Sequence, residues 1–171
     1  MGVLVAALVA PSDALSRVSR ELARLGLEPP PRYHVTILFL GDLSGAFLRH
    51  AVEIFDRVDV EVPRYVRVTG YSFLPPSSPR NVALTLDPRE LEPVRKTLEK
   101  SMPVAKRDRY SFLPHVTIAR KPRAMSPEEV EEARHILENM WRAKQIPREV
   151  RLESLALVKS SAGEFIVLLV K

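Results

Sequence analysis

The 171 residues suit one domain, or one domain built from two similar halves, and a hydrophobic fraction of 46% beside 27% charged residues is globular and argues against disorder. There is no cysteine, which excludes disulfides, thiolate metal sites and a cysteine nucleophile and is comfortable in a reducing cytoplasm. The net charge of +5 is unevenly placed: nine basic residues stand against two acids between Arg95 and Arg123, so that stretch is +7 and the rest of the chain −2. Such a stretch is either a solvated face or a phosphate-attracting patch.

Residues 3 to 9 are almost continuously apolar and rich in β-branched side chains, as in a strand covered on both faces. No Lys or Arg precedes this run, it is too short to span a bilayer, and Ala6 stands where a myristoylation signal wants Ser or Thr, so no membrane anchor is expected. Leu15, Val18, Leu22 and Leu25 recur at helical spacing between Ser12, a candidate N-cap, and Gly26, a candidate stop. "EPPPR" breaks the chain and "YHVTILFL" reads as the next strand. A helix over 44 to 58 and a strand at about 64 to 74 lead to "PPSSPR", the strongest internal loop signal, which divides lobes of roughly 1–75 and 80–171. Beyond it, "NVALTL" is a strand and Asp87, Pro88 and Glu90 begin a helix in which Pro93 costs little only within the first turns. A loop over 102 to 113, the strand "HVTIAR", a helix opened by Ser126, Pro127 and Glu129, and strands at about 149 to 159 and 164 to 170 around the turn "SSAG" complete the chain.

Each half therefore runs strand, helix, HVTI strand, helix, strand, with one extra strand at the end. The matched order points to an internal duplication whose copies are related by a pseudo-twofold, with possible exchange of strands between lobes. In each HVTI strand the side chains alternate, so His34 and Thr36 share one face while Val35, Ile37 and Phe39 take the other; the same holds for His115 and Thr117 against Val116 and Ile118. One histidine on such a face is usually structural, but burying two unpartnered imidazoles would be costly, and a wet groove between the halves is the more economical explanation. Two imidazoles and two hydroxyls in one groove suit phosphodiester chemistry, with one histidine taking a proton, the other giving one, the threonines holding phosphate oxygens and a guanidinium neutralising charge. Zinc is the competing use of paired histidines, but the helical or hairpin ligand spacing is missing and no acid lies close to His115 in sequence, so no metal is expected. His50 and His135 fall away from the apolar stripes of their helices and should face solvent. Tyr33, Tyr71, Phe73 and Phe112 could stack on a base or simply pack, and Arg80 is an electrostatic candidate of low specificity.

"HVTILFLGDL" and "FLPHVTIAR" resemble the two signature motifs of the 2H phosphoesterases, and the wider context resembles their RNA 2',3'-cyclic phosphodiesterase branch, historically called 2'-5' RNA ligase. The resemblance implies an α+β, bilobal fold with antiparallel sheets lining a central groove and helices outside. It also implies opening of a 2',3'-cyclic phosphate at an RNA end to a 2'-phosphate without metal or cofactor. Carried over by motif, His34 would be the proton donor, His115 the proton acceptor, and Thr36, Thr117 and Arg120 the phosphate binders; the near-symmetry of the motifs leaves the two histidine roles exchangeable. Strict alternation from His115 puts Arg120 on the wrong face, so it reaches the groove only through a bulge, a strand end or a curled side chain. Ligation in the reverse direction, a small substrate such as an ADP-ribose cyclic phosphate, and a non-catalytic RNA-binding module stay open. A cytoplasmic monomer acting on RNA ends, without a membrane partner, is the expectation.

Overall fold

A computed structural model of the chain describes residues 2–103, 111–161 and 164–171. Its strands are β1 (Gly2–Val9), β2 (His34–Gly41), β3 (Tyr65–Leu74), β4 (Asn81–Leu86), β5 (His115–Arg120), β6 (Glu149–Ser161) and β7 (Glu164–Val170). Its helices are α1 (Asp13–Leu22), α2 (Gly45–Arg57), α3 (Pro88–Ser101) and α4 (Pro127–Arg142). Most of the expected loop over 102 to 113, with Lys106, Arg107 and Arg109 of the basic stretch, lies outside the described residues, as do Ala162 and Gly163 of the "SSAG" turn.

The helix ends follow from local chemistry. Ser12 accepts the Leu15 amide at 3.2 Å, a 3-10 turn over Ala23–Leu25 follows α1, and Gly26 closes it with φ 73°, where a side chain would be strained. Ser126 and Glu129 form a reciprocal capping box at 3.1 and 3.0 Å. Pro93 lies beyond the first turn of α3, so the helix forgoes a hydrogen bond to the Arg89 carbonyl there and continues through the defect.

The strands form one antiparallel order, β1-β2-β5-β4-β3-β6-β7, with β6 also paired to β1. The expected sheets of the two halves are thus joined, and the two HVTI strands themselves meet in a single pair, Val35↔Val116. The last regular strand of each half crosses over: β3 pairs with β4, and β6 with β1. Helices cross over too, with α1 against β5 and α3 against β2. One face of the sheet and the helices share the main core, built from residues such as Val5, Leu15, Ile37, Phe55, Leu84, Leu98, Ile118 and Leu157. The other face carries a small apolar cluster of Leu4, Ala6, Leu8, Ala156 and Val158 with Phe165 packed on it. No helix among the described residues is long and apolar enough to cross a membrane.

Candidate active site

The Val35↔Val116 pair fixes the centre of the site. In an antiparallel pair the flanking residues face each other, so His34 stands opposite Thr117 and Thr36 opposite His115. The two histidines are then diagonal neighbours, roughly 7–8 Å apart and somewhat closer at Cβ. Each histidine is paired across the join with the other motif's threonine, an arrangement no single strand contains.

Both HVTI strands carry the same irregularity. Between Val5↔Leu38 and Ala6↔Thr36 the partner strand advances one residue while β2 advances two, leaving Ile37 as the extra residue; between Val82↔Ala119 and Ala83↔Thr117 the extra residue is Ile118. These matched β-bulges change which face each later side chain takes. Leu38 and Ala119 turn into the core beside Ile37 and Ile118. Phe39, expected on the apolar face, is instead 50% exposed, and its ring lies where a Cβ on Gly2 would clash, which makes Gly2 a site of close approach. Arg120 takes the position in the second copy that Phe39 holds in the first, on the same side as His115 and Thr117. Its backbone is bonded to Glu28 in both directions, at 2.7 and 2.8 Å, and its register partner is Asn81.

The carbonyl of Ile118, the bulged residue, is reached by a helix side chain. Ser19 of α1, only 4% exposed, has its Oγ 2.6 Å from that oxygen and 2.9 Å from the Tyr33 hydroxyl. Carbonyls can only accept, so the one Ser19 proton goes to Ile118 by the shorter bond, with the Leu15 carbonyl at 3.2 Å sharing it, and Tyr33 donates to Ser19.

Each imidazole is oriented by a main-chain carbonyl two residues before it: His34 Nδ1 is 3.1 Å from the Arg32 oxygen, and His115 Nδ1 is 2.9 Å from the Leu113 oxygen. Nδ1 must carry the proton in both, which leaves Nε2 as the nitrogen for chemistry. Burial pushes the His34 pKa below the ordinary imidazole value; the Arg32 hydrogen bond opposes this, and the charge of His115 adds a further lowering. Phe165 contributes to that burial, its ring centroid 4.4 Å from that of His34.

A cavity of about 130 Å³ opens here, lined by His34, Thr117 and Arg120 with Asn81, Phe165 and the end of β6 at Ser160 and Ser161. Three of the five expected residues thus line one cavity, while Thr36 and His115 form the other cross-strand pair and do not line it. Phe165, Asn81 and the two serines were not foreseen; "SSAG" signalled a turn, but nothing local tells which groove a hairpin overhangs. The aromatic candidates are engaged elsewhere: Tyr33 on Ser19, Tyr71 on Glu138 at 2.7 Å, Phe73 under Arg134 and Phe112 under Arg95. Arg80 is exposed and lines no part of this cavity, and His50 and His135 are exposed, as expected. Of the basic stretch, Lys121 is bound to Glu129 and the Leu25 carbonyl. No group of three potential metal ligands occurs among the described residues.

Solved structures share this fold. TT0787 of Thermus thermophilus matches with a TM-score of 0.63 at 22% identity, over 99% of this chain and 96% of that one. Escherichia coli LigT complexed with 3'-AMP matches at 0.61 and 14% identity, over 100% and 98%. Kluyveromyces marxianus Usb1 matches at 0.59 and 12%, over 98% and 97%. No curated protein matches the sequence significantly. The model of the 2'-5' RNA ligase superfamily matches residues 11–164, and the chain belongs to that superfamily of 2H phosphoesterases.

Proposed function

We propose that this protein hydrolyses 2',3'-cyclic phosphate ends of RNA to 2'-phosphates by metal-free acid–base catalysis. The observation that carries the reading is the Val35↔Val116 pair, which sets two carbonyl-oriented histidines diagonally across one join, each facing a threonine. Water attacks phosphorus as His115 Nε2 takes its proton; the P–O3' bond breaks as His34 gives a proton to the 3' oxygen; the 2'-phosphate and a free 3'-hydroxyl remain. Thr36 and Thr117 hold the non-bridging oxygens, and Arg120 neutralises the charge that grows on them. The complex of LigT with 3'-AMP, on a similar fold, is compatible with a nucleotide ligand here.

The lowered pKa of His34 favours a second assignment with the roles exchanged, since a neutral imidazole is ready to accept. In the first assignment the negative charge of bound phosphodiester draws a proton onto His34.

An oligoribonucleotide ending in a 2',3'-cyclic phosphate, supplied with EDTA, is expected to give a 2'-phosphate product. His34→Ala and His115→Ala are each expected to lower kcat by about 10²–10⁴-fold with the fold intact by circular dichroism. A 3'-phosphate product, chelator-sensitive turnover, or full turnover in either variant would refute the reading. A substrate with sulfur at the 3' bridging position, which leaves without protonation, separates the two assignments: it restores turnover only to the variant lacking the donor.

A further inference from the structure

The N-terminal end of β3 pairs through Tyr65–Arg67 with Glu149–Arg151 of β6, and beside this pairing lies a second cavity of about 620 Å³. It shares no lining residue with the His34 cavity. Its floor includes Val68 and Ile146, each 5% exposed, and its walls carry Tyr65 and Trp141, which are 46% and 41% exposed. Four cations, Arg67, Arg142, Lys144 and Arg148, line it against two carboxylates, Glu90 and Glu149. Glu90 accepts the Arg67 main-chain amide at 3.3 Å, and Arg142 pairs with Glu138. Arg67, Lys144 and Arg148 are in no ion pair among the described residues.

Lys144 is the one described non-glycine residue with positive φ, 57°. It closes α4, with its own amide on the Trp141 carbonyl at 3.1 Å and the Gln145 amide on Met140 at 2.9 Å. Glycine suits this left-handed position best; here a lysine holds it, three residues after Trp141.

Polar side chains also lie along the strands between this cavity and His115. Tyr65, Arg67 and Thr69 alternate with buried Val66 and Val68 and so share a face. Thr69 Oγ1 is 3.0 Å from Thr85 Oγ1, and Thr85 is the register partner of His115. Hydroxyls and then cations therefore lead from His115 to the cavity over roughly 15 Å, two strands across and about four residues along.

We propose that this cavity is a second, non-catalytic site for a nucleoside phosphate, with the base against Trp141 and the phosphate on Arg148 and Lys144. The nucleotide it holds belongs to the same single strand whose end occupies the groove, an assignment that rests on the proposed function.

Trp141 is the chain's sole tryptophan, so its fluorescence reports occupancy directly. The probes are AMP and a hexaribonucleotide with an uncyclised 3'-phosphate, neither of which needs turnover. Both are expected to quench Trp141, the hexamer binding at least about tenfold more tightly, with affinity falling as salt rises. Arg148→Glu should weaken hexamer binding about tenfold or more and raise KM for a cyclic-ended oligomer at constant kcat. The same variant should leave turnover of a mononucleoside 2',3'-cyclic phosphate unchanged. Lys144→Gly should raise Tm while weakening binding, which separates loss of the site from loss of the fold. Absence of quenching by both probes, or quenching unchanged in Arg148→Glu, would overturn the site; equal affinities for AMP and hexamer would overturn the shared strand. Failure of the cyclic end to turn over would refute the hydrolase reading without altering the fluorescence result.

Discussion

His34 and His115 each give one nitrogen to a carbonyl two residues back, yet their surroundings differ, because the Phe165 ring covers His34. The matched letters "HVTI" announced two matched histidines but not this asymmetry, which comes from a hairpin more than 120 residues away in the chain. It has a pH signature. Burial lowers the folded-state pKa of His34, so below about pH 6.5 the unfolded chain binds a proton that the folded chain resists. This group therefore leaves stability unaffected above about pH 6.5 and subtracts from it as the pH falls through that value towards the folded pKa. Urea titrations over this range should show a shallower decline for His34→Asn than for the parent protein. Phe165→Ala should move the His34 imidazole titration, followed by NMR, up towards the ordinary value; an unchanged midpoint would show that Phe165 is not a cause of the shift.

Among the elements, the bulges at Ile37 and Ile118 are the features that alternation alone misjudged. A period-two pattern places Phe39 inward and Arg120 away from His115, whereas one inserted residue sets Phe39 half-exposed and Arg120 on the cavity wall. Nothing in "HVTIAR" by itself says that the strand will bulge, since the bulge is defined by the partner strand's register. The Ser19 hydroxyl is part of what holds it. Ser19→Ala should lower the unfolding free energy by about 1–3 kcal/mol, because the Ile118 carbonyl loses its donor in a buried setting. If the bulge aims Arg120, turnover should also fall in this variant at temperatures where it remains folded; full turnover would separate the bulge from Arg120's placement. The helix caps, by contrast, were legible in advance: Ser12, Asp87 and Ser126 all accept amides as their local spacing predicts.

Over the whole molecule, the crossovers bind the halves together. β1 has its longest ladder with β6, and β3 pairs with β6 through Tyr65–Arg67 and with β4 through Val68–Leu74, both of the other half, so each half lacks strand partners without the other. A fragment of residues 1–75 should therefore stay unfolded by far-UV circular dichroism, although it contains a complete HVTI motif. The intact chain should unfold in one transition with a calorimetric to van't Hoff enthalpy ratio of about 1. Two resolved transitions would contradict this coupling.

Element order, helix caps, the internal repeat and the identity of His34 and His115 as a matched pair follow from local signals: apolar period, turn and cap residues, and repeated letters. Which strands pair, which histidine Phe165 covers, where the bulges turn Phe39 and Arg120, and how Trp141 comes to share a cavity with Arg67 were decided only by tertiary structure. The physical reason is that strand register and hairpin overhang depend on partners distant in sequence, whose packing and hydrogen bonds exist only once the two halves have exchanged their strands.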